Sequence, residues 1–135
     1  MLKVQNVEVK FIPQIWLIVA PFIAGGLKYT DDYTLDQIKV YLSSGVWTLL
    51  VAVDDLQQIH GVCTIAFENG ANDRTAIITT LGGKFVVLQE IFDQVCTIVR
   101  RLGATRVQAY TRDTAIRLYE KVGLKKKATL MEIRL

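Results

Sequence analysis

TTLGGKFVV, residues 79–87, is where the chain passes from one periodicity to another. The run before it, RTAIITTL (74–81), is rich in β-branched side chains and reads as a strand. After it, Leu88, Ile91, Phe92, Val95, Ile98, Val99 and Leu102 recur at helical spacing, and Gly103 can supply a left-handed stop. A strand therefore gives way to a helix over 85–102, with Gly82, Gly83 and Lys84 at the joint. Such a joint has two readings: a cradle whose free backbone N–H groups face a phosphate, or a tight corner that lays the helix back on the sheet.

Working outward, LKVQNVEVKFI (2–12) alternates loosely and predicts a first strand, and a helix begins at Pro13, a residue suited to the first turn. Trp16, Val19, Ala20, Ile23 and Leu27 share one stripe of that helix, with a bend or break expected near Pro21. Leu17, Ile18 and Phe22 make its other side apolar too, so either the domain covers both faces or one face meets a partner. Thr34 and Gln37 have capping-box spacing ahead of a short helix that ends at Gly45. VWTLLVAV (46–53) and HGVCTIAFE (60–68), joined by DDLQQ, predict an antiparallel hairpin that RTAIITTL extends. TRVQAY (105–110) reads as a strand, DTAIRLYEKV (113–122) as a helix stopped by Gly123, and KATLMEIRL (127–135) as a last strand with Met131, Ile133 and Leu135 on one side. The order β-α-α-β-β-β-α-β-α-β predicts a single α/β (α+β) domain over 1–135. Its mixed, mostly antiparallel sheet has about six strands, with helices on both faces.

At 135 residues and 51% hydrophobic, the chain can build one core. Residues 1–75 carry 5 Lys/Arg against 8 Asp/Glu and residues 76–135 carry 11 against 5, a polarity that favours an anionic ligand near the second half. No aromatic residues interleave with those charges, so nucleic-acid binding is not expected. Cys63 and Cys96 sit among apolar neighbours without a CxxC partner, and with His60 as the single histidine no metal-ligand spacing occurs. FIPQIWLIVAPFIAGGL (11–27) is shorter than a bilayer span and is interrupted by Gln14 and two prolines, so no membrane span is expected.

DTAIRLYEKVGL (113–124) resembles the helix-and-turn signature of the GNAT (Gcn5-related N-acetyltransferase) superfamily, and the element order is similar along nearly the whole chain. The compact length, the Ile12-Pro13 helix start and the LGG joint resemble the small GNAT-like proteins of tailed bacteriophages. The resemblance implies two parallel strands that splay apart, here 75–81 and 106–110. The free edge of the first would hold the pantetheine arm of acetyl-CoA, with Thr79, Thr80, Leu81, Gly82, Gly83, Lys84 and Phe85 as cofactor-binding residues. It also implies that Tyr119 protonates the departing thiolate.

Two departures from the family stand out. Members carry a longer pyrophosphate loop of the form Arg/Gln-x-x-Gly-x-Gly/Ala, and here the strand is expected to run through Gly82-Gly83 straight into the Phe85 helix. Arg112 stands where many relatives have asparagine. Glu68, at a strand end, is the candidate general base. His60 is expected beside Leu81, at the phosphate end. The implied activity is transfer of an acetyl group from acetyl-CoA to a primary amine on a small molecule or protein, in the cytoplasm. The alternatives are a non-catalytic GNAT-like scaffold in a phage virion, self-associating or binding a virion partner through the Pro13 helix, and a module that holds CoA or another anion without turnover.

Overall fold

The computed structural model describes residues 1–85 and 88–135, Tyr29 by its backbone alone. One sheet contains β1 (Lys3–Val7), β2 (Trp47–Val53), β3 (Ile59–Asn69), β4 (Arg74–Gly83) and β5 (Arg106–Ala109), side by side in that order. The pairs β1/β2, β2/β3 and β3/β4 are antiparallel, and β4/β5 is parallel. Among the described residues, four α-helices complete the fold: α1 (Ile12–Gly26), α2 (Leu35–Ser43), α3 (Gln89–Arg101) and α4 (Ile116–Lys121).

Strand side chains alternate between faces, so a strand covered on both sides reads as a continuous apolar run, as TLLVAV does. Leu49, Val51 and Val53 pack with Ile12, Trp16, Val19 and Ile23 of α1 and Ile38 and Leu42 of α2. Leu50 and Ala52 join Cys63, Ile65 and Ile78 against Ile91, Phe92, Val95 and Val99 of α3. Helices therefore cover both faces, as the element order implied.

The stripe predicted for α1 is the buried one, and the capping box of α2 forms: Gln37 N donates to Thr34 Oγ1 (3.2 Å) and Thr34 N to Gln37 Oε1 (2.9 Å). Pro21 does not end α1, which continues to Gly26. The carbonyl that proline leaves without a donor belongs to Leu17, whose side chain is 88% exposed, so that orphan lies on the face open to water. Val9–Gly26 is long and apolar enough to cross a membrane, with a mean hydropathy of 1.5, yet its inner stripe packs on the sheet.

Three expectations need correction. The sheet has five strands, because residues 124–135 form no regular element. Their alternating pattern suits a strand, but a strand exists only where it pairs. Next, α3 begins at Gln89, not at Phe85. Phe85 turns into the α3-side core, 2% exposed, and Leu88 is extended at φ −112°, ψ 130°. Val86 and Val87, expected in that helix, lie outside the described residues. Last, Asp113–Ala115 is a 3-10 turn leading into α4. Gly123 (φ +102°) then ends α4 as expected, with Leu124 N donating to Tyr119 O (3.1 Å).

Candidate active site

The β3/β4 register carries the first feature of the site. Thr64 faces Thr80 while Ile65 faces Ile78, so Thr79 is an extra residue, a β-bulge in the middle of β4. Three hydroxyls hold it. Thr79 Oγ1 donates to the Thr64 carbonyl (2.9 Å) and lies 2.8 Å from Thr64 Oγ1, which lies 2.6 Å from Thr80 Oγ1. Thr64 and Thr80 are buried, so these bonds form away from competing water.

Pairing between β4 and β5 covers only Thr75 to Ile78 against Arg106 to Ala109. From the bulge onward, among the described residues, β4 has β3 on one side and no strand on the other. Successive amides of a strand point to opposite sides, so in 79–83 every second N–H and C=O points away from β3. The two strands therefore pair along 75–78 only, where the resemblance implied strands 75–81 and 106–110.

Gly82 and Gly83 answer the question posed by the joint, and they are no corner. They belong to β4 and pair with Val62 and Gly61. A Cβ on Gly82 would collide with the Phe22 carbonyl of α1, and one on Gly83 (φ +68°) would meet the His60 carbonyl and the Phe22 ring. Gly26, at the end of α1, comes equally near: its Cβ would stand 2.6 Å from the Leu81 oxygen. The glycines let a helix backbone lie directly on a strand backbone.

Among the described residues, β4 ends at Gly83 and α3 begins only at Gln89, later than expected. Lys84 is exposed and its N–H donates to the His60 carbonyl (3.0 Å). The first amides of α3 have no intrahelical acceptor, and the N-cap residue Leu88 offers no side-chain oxygen. These donors and the Lys84 charge suit a phosphate, against which Glu90 in the first turn sets one negative charge.

Tyr119 reaches the α3-side core from α4. Burial, with a smaller push from the nearby Cys63 thiol, raises its phenol from 10.0 to about 12. Cys63 pairs with Leu81, beyond the end of β5 pairing, so Tyr119 stands at the level of the parted strands. Glu68 does not join them. It faces Thr75, four positions along β3 from Thr64 and roughly 13 Å away at the strand rise.

Two features went unread in the sequence. Thr64 is one; its signal was a hydroxyl inside the apolar run VCTIA opposite a Thr-Thr pair. The other is the pairing of Asp54, read only as a hairpin-turn residue, with His60: its Oδ1 accepts from Leu56 N (2.8 Å) and Gln58 N (3.0 Å) while Oδ2 lies 2.7 Å from His60 Nε2. The His60 hydrogen bond is the first cause of the lowered Asp54 pKa, followed by the Gln58 amide. His60 sits beside Gly83 and Lys84, at the end expected for it.

A bulged β4, a β5 that parts from it and helices on both sheet faces define the GNAT acetyltransferase fold. The chain is similar over 98% of its length to a probable acetyltransferase (13% identity, 96% of that chain, TM-score 0.72). It is also similar to glucosamine-6-phosphate N-acetyltransferase from Arabidopsis thaliana (14% identity, 99% of this chain and 98% of that one, TM-score 0.66). An aminoglycoside antibiotic 6'-N-acetyltransferase from Acinetobacter baumannii matches at 10% identity over 100% of this chain and 98% of that one (TM-score 0.69). No family model matches the sequence, and no curated protein does. At these identities the likeness is one of fold.

Proposed function

We propose that the chain is an acyl-CoA-dependent N-acyltransferase, moving an acetyl group from acetyl-CoA to a primary amine of a small molecule or protein. The observation that carries this reading is that β5 pairs with β4 only as far as Ile78, with the buried phenol of Tyr119 packed into the α3-side core beside Cys63. Acetyl-CoA supplies an activated thioester, and the free edge of β4 binds its pantetheine arm by backbone hydrogen bonds. Amides at Thr79 or Thr80, held rigid by the threonine hydroxyls, polarise the thioester carbonyl as the amine attacks. The C–N bond forms and the C–S bond breaks. Tyr119 gives its proton to the leaving sulfur, a role for which a phenol protonated throughout the neutral range is suited. The surplus amine proton leaves to water. Glu68 takes it only from an acceptor long enough to reach the Asn69 end of the sheet.

Lys84, Phe85 and the first turn of α3 take the phosphate side of this reading. Gly82 and Gly83 contribute their backbone edge, since α1 occupies the space above them. The experiment is a thermal shift with acetyl-CoA, followed by thiol release in the presence of primary amines. A ligand at 100 times its dissociation constant stabilises by about 2.7 kcal/mol, so a flat response at millimolar acetyl-CoA rejects the reading.

A second reading, a GNAT-like scaffold with an assembly role such as a phage virion component, has one observation in its favour. Leu17 and Ile18 stand exposed on α1, and Phe11 is exposed just before it.

A further inference from the structure

The sheet has a second irregularity, in β3. Its register against β2 runs from Ala52 facing Gly61 to Val53 facing Ile59, so His60 is an extra residue, another β-bulge. The extra residue of a bulge has no place in the ladder, and other groups must hold it. At Thr79 the threonine hydroxyls do so; at His60 the side chain of Asp54 does.

Asp54 ties the hairpin end together. Its Oδ1 accepts from Leu56 N and Gln58 N inside the turn, and its Oδ2 lies 2.7 Å from His60 Nε2. The His60 bond first, and then the Gln58 amide, hold this carboxyl below its ordinary pKa, so at neutral pH it is ionised and can only accept. His60 Nε2 is therefore the donor. One carboxylate joins the turn to the bulge just beyond it.

On its other side the bulge meets the end of β4, backbone against backbone. The His60 carbonyl accepts from Lys84 N (3.0 Å). Gly61 faces Gly83, and a Cβ on Gly61 would stand 2.9 Å from the Lys84 oxygen and 3.0 Å from the Gly82 oxygen. No side chain lies between these backbones to absorb a shift, so the course of the chain at Lys84 follows that of the bulge.

We infer that Asp54 and His60 position Lys84: their bond fixes the bulge, and the bulge fixes where the chain leaves β4 and where the Lys84 charge stands toward a phosphate. His60 acts through Lys84 and is a positioning residue. A cation on a fixed backbone loses less freedom when a phosphate binds, which is the gain such a brace supplies. Its consequence for binding rests on the proposed acetyl-CoA reading, whereas the geometric coupling needs no cofactor.

The test compares the whole chain as wild type, His60→Ala and His60→Gln. Alanine removes the donor, and glutamine returns an N–H at similar reach to Asp54. In amide hydrogen exchange, Lys84 N–H is expected to exchange about tenfold faster or more in His60→Ala, with amides of β1 and α3 at wild-type rates and most of the difference recovered by glutamine. In thiol-release kinetics at low salt, alanine is expected to raise the KM for acetyl-CoA several-fold with kcat within about twofold, and glutamine to lower it again. A Lys84 amide indifferent to His60→Ala overturns the inference. So does one that quickens only in step with every other amide, since that reports a general loss of stability. A loosened Lys84 amide with an unchanged KM overturns the part played toward the phosphate. A wild type that neither binds nor turns over acetyl-CoA rejects the proposed function instead, and the exchange rates then decide by themselves whether His60 holds Lys84.

Discussion

Gly82 of β4 lies directly beneath the Phe22 carbonyl of α1, with no room for a methyl group between them. Two backbones at that range cannot separate without dragging a helix off the sheet. Gly82→Ala is therefore expected to destabilise by about 2–3 kcal/mol, the upper part of the range for overpacking, read as a lower midpoint in a urea titration. Gly25 provides the contrast: among the described residues, no atom stands within 4 Å of where its Cβ would be. Gly25→Ala should raise stability by about 0.5–1 kcal/mol through helix propensity. Equal effects of the two substitutions would contradict this placement of α1.

The threonine cluster sets a second expectation. Thr64 Oγ1 is the common partner of Thr79 and Thr80, and both Thr64 and Thr80 are buried. Thr64→Val keeps the shape and removes the hydroxyl, leaving the Thr80 hydroxyl without its partner at a cost of about 1–3 kcal/mol. Thr64→Ser keeps the hydroxyl and loses only a methyl group, so it should cost less. If valine is as stable as serine there, the hydroxyls do not hold the bulge.

Sequence and structure agree where one local rule decides. The capping box at Thr34 and Gln37, the α1 stripe and the heptad-like face of α3 each follow from spacing within a few residues. The joint at Gly82-Gly83 was misread because a glycine pair looks the same whether the chain turns or a distant helix presses on it, and Phe22 lies 60 positions away. Phe85 has the apolar character of a helix face, yet the core captures it one segment before the helix begins. The last strand shows a similar limit. KATLMEIRL has a strand's alternation, but alternation specifies a face and not a partner, and among the described residues the tail pairs with no strand. In the site, the family signature pointed to Tyr119, whereas the bulge depends on a register shift between Thr64 and Ile65 that no local pattern announces.

Alkaline stability isolates Tyr119. Its folded pKa of about 12 lies above the unfolded value of 10.0, so the folded protein holds the proton more tightly. The resulting stabilisation is complete below pH 10 and disappears as pH rises toward 12, amounting to about 2–3 kcal/mol if the full shift holds. Tyr119→Phe has no phenol to ionise and should show a flatter loss of stability over that window. Tyr33, whose pKa burial also raises, is present in both proteins and cancels in the comparison. Parallel curves for wild type and variant would mean that the Tyr119 phenol is as well solvated folded as unfolded.

The same substitution separates catalysis from binding. If Tyr119 protonates the thiolate, Tyr119→Phe lowers kcat by about 10²-fold or more and leaves the acetyl-CoA stabilisation intact, because the proton is needed only as the C–S bond breaks. Lys84→Gln should behave in the opposite way. Lys84 is exposed just past the end of β4, so losing its charge should weaken acetyl-CoA binding several-fold and spare kcat, with an effect that fades as salt screens the phosphate. Thiol-release kinetics over a range of acetyl-CoA concentrations, at low and high salt, distinguish the two. A Tyr119→Phe protein that turns over at the wild-type rate would move the acid elsewhere in the gap. A Lys84→Gln protein whose KM is unchanged at low salt would leave the phosphates to the α3 amides alone.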